Sequence, residues 1–218
     1  EILRKYLQRL TYKVVLGFKK SQFTLTYIDG FSGPWQSQSE TFCDTSFQIA
    51  LDELRMARQE LADKHNIRLN LRCLFVEKNH QAFRLLEQHL INSTDIELKL
   101  IHGEFEKSIP EVLNFVRVKD NHFTFIFIDP TGWTGFGLNA ISPLLRLQYS
   151  EVLINFMMKD IIRFIDDQRP EIRASFNDLF GTSGVQEVWK GLQGREREEK
   201  IVEAYRKRFK EVIGYKYT

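Results

Sequence analysis

Apolar positions along this chain repeat with two different periods, and the switch between them recurs along the first 157 residues. Ile2, Leu3, Tyr6, Leu7, Leu10, Val14 and Val15 follow the helical spacing and predict an amphipathic helix within residues 1–20. A strand-like run follows from Phe23 to Ile28, then a polar, irregular loop from Gln36 to Asp44. Phe47, Ile49, Ala50, Leu54 and Leu61 predict a helix from Ser46 to about Lys64 with a charged outer face. "LRCLFVEKN" predicts a strand ending at Glu77, and "QAFRLLEQHL" a helix. "IELKLIHGE" predicts a third strand, and "SIPEVLNFVR" a helix with Pro110 in its first turn, where proline is tolerated. "HFTFIFIDP" is nearly all apolar and predicts a fourth strand buried on both faces, with Phe123, Phe125 and Phe127 in the core. A helix from about Leu138 to Leu147 then leads to a fifth strand, "EVLINFM".

Strand alternating with helix is the signature of an α/β fold: a mostly parallel sheet covered by helices. Residues 1–157 are expected to form that core. Residues 158–213 change to a highly charged helical pattern, expected as an insertion, lid or partner-binding subdomain. Within it "REREEK" and "YRKRFKE" mix signs at helical spacing, which favours a solvated helix face over a nucleic-acid patch. The closing "GYKYT" (214–218) reads as the start of a further strand cut short.

Charge and cysteine content narrow the function classes. Lys and Arg number 31 against 29 Asp and Glu, so net charge alone supplies no argument for nucleic acid. Cys43 and Cys73 stand far apart in no paired motif, which excludes a disulfide-rich scaffold and a four-cysteine metal site, and favours two inert thiols in a reducing, cytoplasmic setting. No apolar run approaches the ~20 residues that span a bilayer, and "EILRKYLQRL" has the character of an amphipathic helix and not of a signal peptide. The five histidines show no metal-ligand spacing; His102, beside the third strand end, is the one placed near a candidate site.

The unusual residues gather where strands end. Asp29-Gly30-Phe31-Ser32-Gly33 follows the first strand, Glu77 and Lys78 the second, Gly103-Glu104 the third, and Asp129-Pro130-Thr131-Gly132-Trp133 the fourth. In an open parallel sheet, ligands bind outside these carboxyl ends. The first loop has two readings: an ordinary tight turn, or a loop bared of side chains so that a ligand lies against the backbone. G-x-G-x-x-G and G-x-x-x-x-G-K-[ST] are both absent, which argues against a dinucleotide or a triphosphate. An acid in the first loop suits an ammonium group, and an acid at the second strand end suits a ribose diol. S-adenosylmethionine carries both.

"DGFSGPW" is similar to the first motif, D-x-F-x-G-x-G, of the Rossmann-like S-adenosylmethionine-dependent methyltransferases. The combination "YIDGFSGPW", "FIFIDPTGW", "EVLINFM" and "LFG…VW" resembles, over about residues 20–190, the three-Cys-motif partner family (TcmP). The resemblance implies a three-layer Rossmann-like methyltransferase fold with S-adenosylmethionine as cofactor. It places Asp29 near the methionine moiety, with Gly30, Phe31, Ser32 and Gly33 (its first loop glycine) completing the cofactor loop, Glu77 at the ribose hydroxyls with Lys78 beside it as a further cofactor-binding residue, and Glu104 at the adenine amino group. Trp35 stands where the family has a second loop glycine. "DPTGW" resembles the D-P-P-[YF] motif of amino-group methyltransferases, with Thr131 and Gly132 replacing the second proline and the spacer. By that resemblance Asp129 and the Pro130 carbonyl orient the nucleophile and Trp133 stacks on a flipped base. The implied partner is a protein carrying three cysteines, and the implied substrates are amino groups or nucleic acid.

Other readings stand beside these. Asp29–Gly33 and Asp129–Pro130 also fit structural turns, Glu77 and Glu104 also fit strand-end caps, and Trp133 also fits a core or lid aromatic. A catalytically silent Rossmann scaffold that binds a partner protein is the alternative function. A nucleic-acid module would need a basic face around Lys19, Lys20, Arg163, Arg169 and Arg173.

Overall fold

A computed structural model describes residues 2–33, 37–117 and 120–214. Trp35, and residues 215–218 of the strand expected at the end of the chain, lie outside the described residues.

Five strands, β1 (Gln22–Asp29), β2 (Arg68–Glu77), β3 (Glu97–His102), β4 (His122–Ile128) and β5 (Ser150–Ile154), form one sheet in the order β3-β2-β1-β4-β5. The ladders of β1 with β2, β1 with β4 and β2 with β3 are all parallel. This is a Rossmann-like arrangement, and its strand order reverses at β1, between β2 and β4. The chain divides into two compact units: residues 1–128 with 149–153, and residues 129–148 with 154–218.

In the first unit the pleat sends alternate residues to opposite faces. Phe23, Leu25 and Tyr27 of β1, Leu69, Leu71, Cys73 and Phe75 of β2, and Phe123, Phe125 and Phe127 of β4 enter one core cluster. Leu3, Leu7 and Leu10 of α1 (Ile2–Phe18), Phe47, Leu51 and Leu54 of α2 (Ser46–His65), and Leu86 and Leu90 of α3 (His80–Leu90) close it. Thr45 caps α2 by accepting from Gln48 N–H, and Asn66 ends it in the left-handed conformation. Helix α4 (Phe105–Phe115) packs on β2 and covers the other face, where Arg72 lies over the Phe115 ring at 4.2 Å and donates to the Phe115 carbonyl. Strand β4 is buried along all but its first residue, as its apolar run predicts.

Several boundaries depart from the sequence pattern by two or three residues, β2 for example starting at Arg68 and not Leu71, and two of them have a visible cause. Helix α4 begins at Phe105, three residues before the expected Ser108, so Pro110 is its sixth residue and lies inside the helix. The Phe105 ring supplies the reason: it packs 5.8 Å from Phe31 and is buried, and that burial extends the helix back past the point where proline would open it. Strand β5 stops at Ile154, because the following turn bonds Met158 N–H to the Phe156 carbonyl and α6 (Met158–Phe164) begins.

The second unit holds α5 (Leu138–Leu145), α6, α7 (Pro170–Phe180), a 3-10 helix (Val185–Trp189) and α8 (Gly194–Ile213). Helix α5, which the sequence places within the sheet-bearing core, packs on α7 and α8. Trp189 and Phe180 are buried with ring centres 5.4 Å apart, and Tyr205 of α8 meets Phe156 at 4.6 Å. Among the described residues no helix is long and apolar enough to cross a membrane.

One interior residue is poorly matched to its surroundings. Thr26, in the middle of β1, is fully buried and its hydroxyl has no hydrogen-bond partner among the described residues. Valine has nearly the same shape without the orphaned oxygen, and a buried unsatisfied hydroxyl costs roughly 1–3 kcal/mol. Thr26→Val is therefore expected to stabilise the protein by about 1 kcal/mol, a rise of ~2–4 °C in Tm. A lower melting temperature for the valine variant would show that the hydroxyl is satisfied in solution.

Candidate functional site

The carboxyl ends of β1, β2 and β3 carry the first unit's unusual residues. Asp29, the last residue of β1, has no exposed surface. Its carboxylate accepts from the Ser46 hydroxyl at 2.6 Å, from Phe31 N–H at 3.0 Å and from the Tyr27 hydroxyl at 3.4 Å. The acid therefore ties the loop after β1 to the first turn of α2. Backbone bonds fasten the same loop on both sides. Gly30 N–H donates to the Phe127 carbonyl of β4, and Ser32 N–H to the Val76 carbonyl of β2, each at 3.0 Å. The Ser32 hydroxyl turns back to the Asp29 carbonyl at 2.9 Å.

A side chain on either glycine of this loop would force a neighbour to move. A Cβ on Gly30 would stand 2.9 Å from the Phe105 ring. A Cβ on Gly33 would overlap the Glu77 carboxylate and come within 3.0 Å of the Ala82 methyl. So the acid that ends β2 lies directly against the bare backbone that follows β1.

Glu77 is 7% exposed. Its Oε1 accepts from Asn79 N–H at 2.5 Å, and its backbone carbonyl accepts from Gly103 N–H at 3.0 Å. Asn79 caps α3 by accepting from Ala82 N–H, so Glu77 is held at a helix N-terminus, where the dipole favours a negative charge. Among the described residues its Oε2 has no hydrogen-bond donor, and it is this oxygen that abuts Gly33.

Glu77 pairs in register with His102 across the β2–β3 ladder, and rings and charges follow at these strand ends. His102, which ends β3, lies 5.3 Å from His80 and stacks on Phe83 at 5.0 Å. Lys78 is exposed. Glu104 turns outward: it is more than half exposed and pairs with Lys107 at 2.7 Å, and that hydrogen bond holds its carboxyl below the usual range. The sequence-predicted set Asp29–Gly33 and Glu77 is thus brought together by the β1–β2 pairing, while the Glu104 carboxylate is engaged elsewhere. The pattern of the sequence missed Ser46, Tyr27, Asn79, His80 and Phe83. Asn79 had a detectable signal, a capping residue ahead of an apolar-periodic run.

The DPTGW segment belongs to the second unit. Asp129 Oδ1 accepts from the Asn155 side-chain amide at 2.7 Å, Pro130 is buried, and Thr131 is exposed. A Cβ on Gly132 would meet nothing within 4 Å. The Trp133 ring stacks on Phe176 at 5.1 Å with an interplanar angle of 5° and meets Phe164 at 5.0 Å, and its indole N–H donates to the Ser175 hydroxyl at 2.9 Å.

Chemically, the first unit offers a shelf of backbone at the end of β1, a carboxylate with one oxygen lacking a donor among the described residues, and the His80, Phe83 and His102 rings at the ends of β2 and β3. Compared with protein-family models, with curated proteins and with solved structures, the chain matches none.

Proposed function

We propose that the first unit binds S-adenosylmethionine at the carboxyl ends of β1 and β2, and that the protein is a methyltransferase of the Rossmann-like, three-Cys-motif-partner type. One observation carries the reading: the Glu77 carboxylate lies against Gly33, with one oxygen anchored by Asn79 and the other without a donor among the described residues. A carboxylate so placed accepts hydrogen bonds from a vicinal diol, while the side-chain-free loop admits the rest of the ligand. The Phe83 and His102 rings supply a flat surface for a base. Asp29, fully buried among its own donors, acts by shaping the loop.

The cofactor would supply an activated methyl group, and what transfer then requires of the protein is positioning and exclusion of water. The acceptor would be an amino group, in a nucleic acid or a small molecule, with a three-cysteine protein as partner. One observation favours the alternative, a scaffold that binds without transferring: Trp133 is already engaged by Phe176, Phe164 and Ser175, which leaves it poorly placed to stack on a substrate.

Calorimetric titration of S-adenosylmethionine tests the reading. The wild-type protein is expected to bind in the micromolar range, and Glu77→Ala to bind roughly 100-fold more weakly through loss of two charge-assisted hydrogen bonds. No heat of binding with the folded wild-type protein would overturn the proposal.

A further inference from the structure

The opposite end of the first unit's sheet carries a cleft of about 900 Å³, at the amino ends of β1 and β2. Arg58, Arg68, Arg72 and Arg117 line it, against the two acids Asp95 and Glu97. That excess of two positive charges equals the formal net charge of the whole chain, so acids and bases balance elsewhere.

The four arginines differ in how far they are committed. Arg58 pairs with Asp95 at 2.7 Å, as does Arg55 beside it. Arg72 forks onto Glu97 with two bonds of 2.7 Å and packs over Phe115. Arg68 and Arg117 are exposed and have no ion pair among the described residues. Arg68 opens β2, and its backbone N–H donates to the Ser21 carbonyl at 2.8 Å. That bond sets it beside Lys19 and Lys20, two further exposed cations with no acidic partner among the described residues.

We infer that this amino edge binds the phosphate backbone of a nucleic-acid duplex. The uncommitted cations sit on three separate segments: the turn before β1, the start of β2, and the chain after α4. Arg68 and Arg117 face the cleft, whereas Lys19 and Lys20 lie on the turn before β1, outside its lining, so the uncommitted cations extend along the edge beyond the cleft itself. A compact anion needs converging donors; a chain of phosphates needs a row. Arg72 and Arg58, held by their acids, form a fixed floor beneath the row. Among the described residues the cleft lining contains no aromatic side chain, whereas grooves for single strands combine positive charge with rings on which bases stack. What remains is contact with phosphates, independent of sequence.

The test is fluorescence anisotropy with labelled duplexes of about 16 base pairs, a length two successive grooves offer, one of RNA and one of DNA, across roughly 50 to 200 mM salt. Binding of either duplex is expected, with log K falling linearly against log salt. Arg68→Ala/Arg117→Ala is expected to flatten that slope by ~2, one phosphate contact for each arginine. Lys19→Ala/Lys20→Ala, on a different segment, should flatten it as well, and thermal melting checks that each variant is folded. Absence of binding to both duplexes at the lowest salt would overturn the inference, as would an unchanged slope in both folded variants. Tighter binding of a single strand, or of pyrophosphate, than of either duplex would overturn it too.

Discussion

Phe125→Ala is expected to destabilise the first unit by about 4 kcal/mol, the largest effect of any single substitution considered. Phe125 is fully buried near the middle of β4, the strand that pairs with β1 at the switch in strand order. Its ring stacks on Tyr6 of α1 at 5.4 Å and meets Tyr27 of β1 at 5.9 Å, so it joins the helical layer to the sheet. Truncation removes the transfer free energy of the ring and leaves a cavity that three well-anchored elements have little freedom to fill. Domains of this kind hold only ~5–15 kcal/mol in total, so the variant is expected to unfold at a much lower urea midpoint, with an unchanged slope. Phe125→Leu, which retains most of the volume, should cost only about 1 kcal/mol. An alanine variant within ~0.5 kcal/mol of wild type would mean that the ring is not part of a closed core, since changes that small are typical of surface positions.

The second large effect is expected at Gly33. A methyl group there must displace the Glu77 carboxylate, because Ala82 bars the other direction at 3.0 Å. Moving the carboxylate breaks the Asn79 N–H bond that fixes it at the start of α3. Gly33→Ala is therefore expected to weaken S-adenosylmethionine binding roughly 100-fold by calorimetry, the equivalent of losing about two charge-assisted hydrogen bonds. Gly17→Ala is the control: its Cβ would meet nothing within 4 Å, in the last turn of α1, and binding should not change. Equal affinities for wild type and Gly33→Ala would remove the Glu77–Gly33 contact from the binding site. The observation that carries the proposed function would go with it.

These two positions differ in how visible they are in the sequence. Phe125 is legible: it stands in a run so uniformly apolar that neither face can be solvated, and period-2 spacing puts Phe123, Phe125 and Phe127 on one side. The role of Gly33 is not. A glycine near a strand end signals a turn, but the atom that excludes a side chain belongs to Glu77, 44 residues later. Asp29 shows the same limit. Its place after a strand is plain, yet whether it faces a ligand or its own chain depends on Ser46, delivered by a helix whose docking no local pattern specifies.

Local periodicity and capping chemistry were enough to define the alternation of strands and helices, the doubly buried β4 and the parallel class of the sheet, because each depends on residues within a turn or two of one another. Partner choice is a different matter. Helix α5 has an apolar stripe whose partner no local spacing names, and it rests on α7 and α8. Helix α4 starts early because Phe105 finds Phe31 and Gly30. Arginines 58, 68, 72 and 117 look scattered along the chain until the β1–β2 register and the packing of α2 and α4 gather them at one edge. Side-chain burial, ion pairing and steric exclusion act between atoms brought close by folding, and the distances that decide them have no counterpart in spacing along the chain.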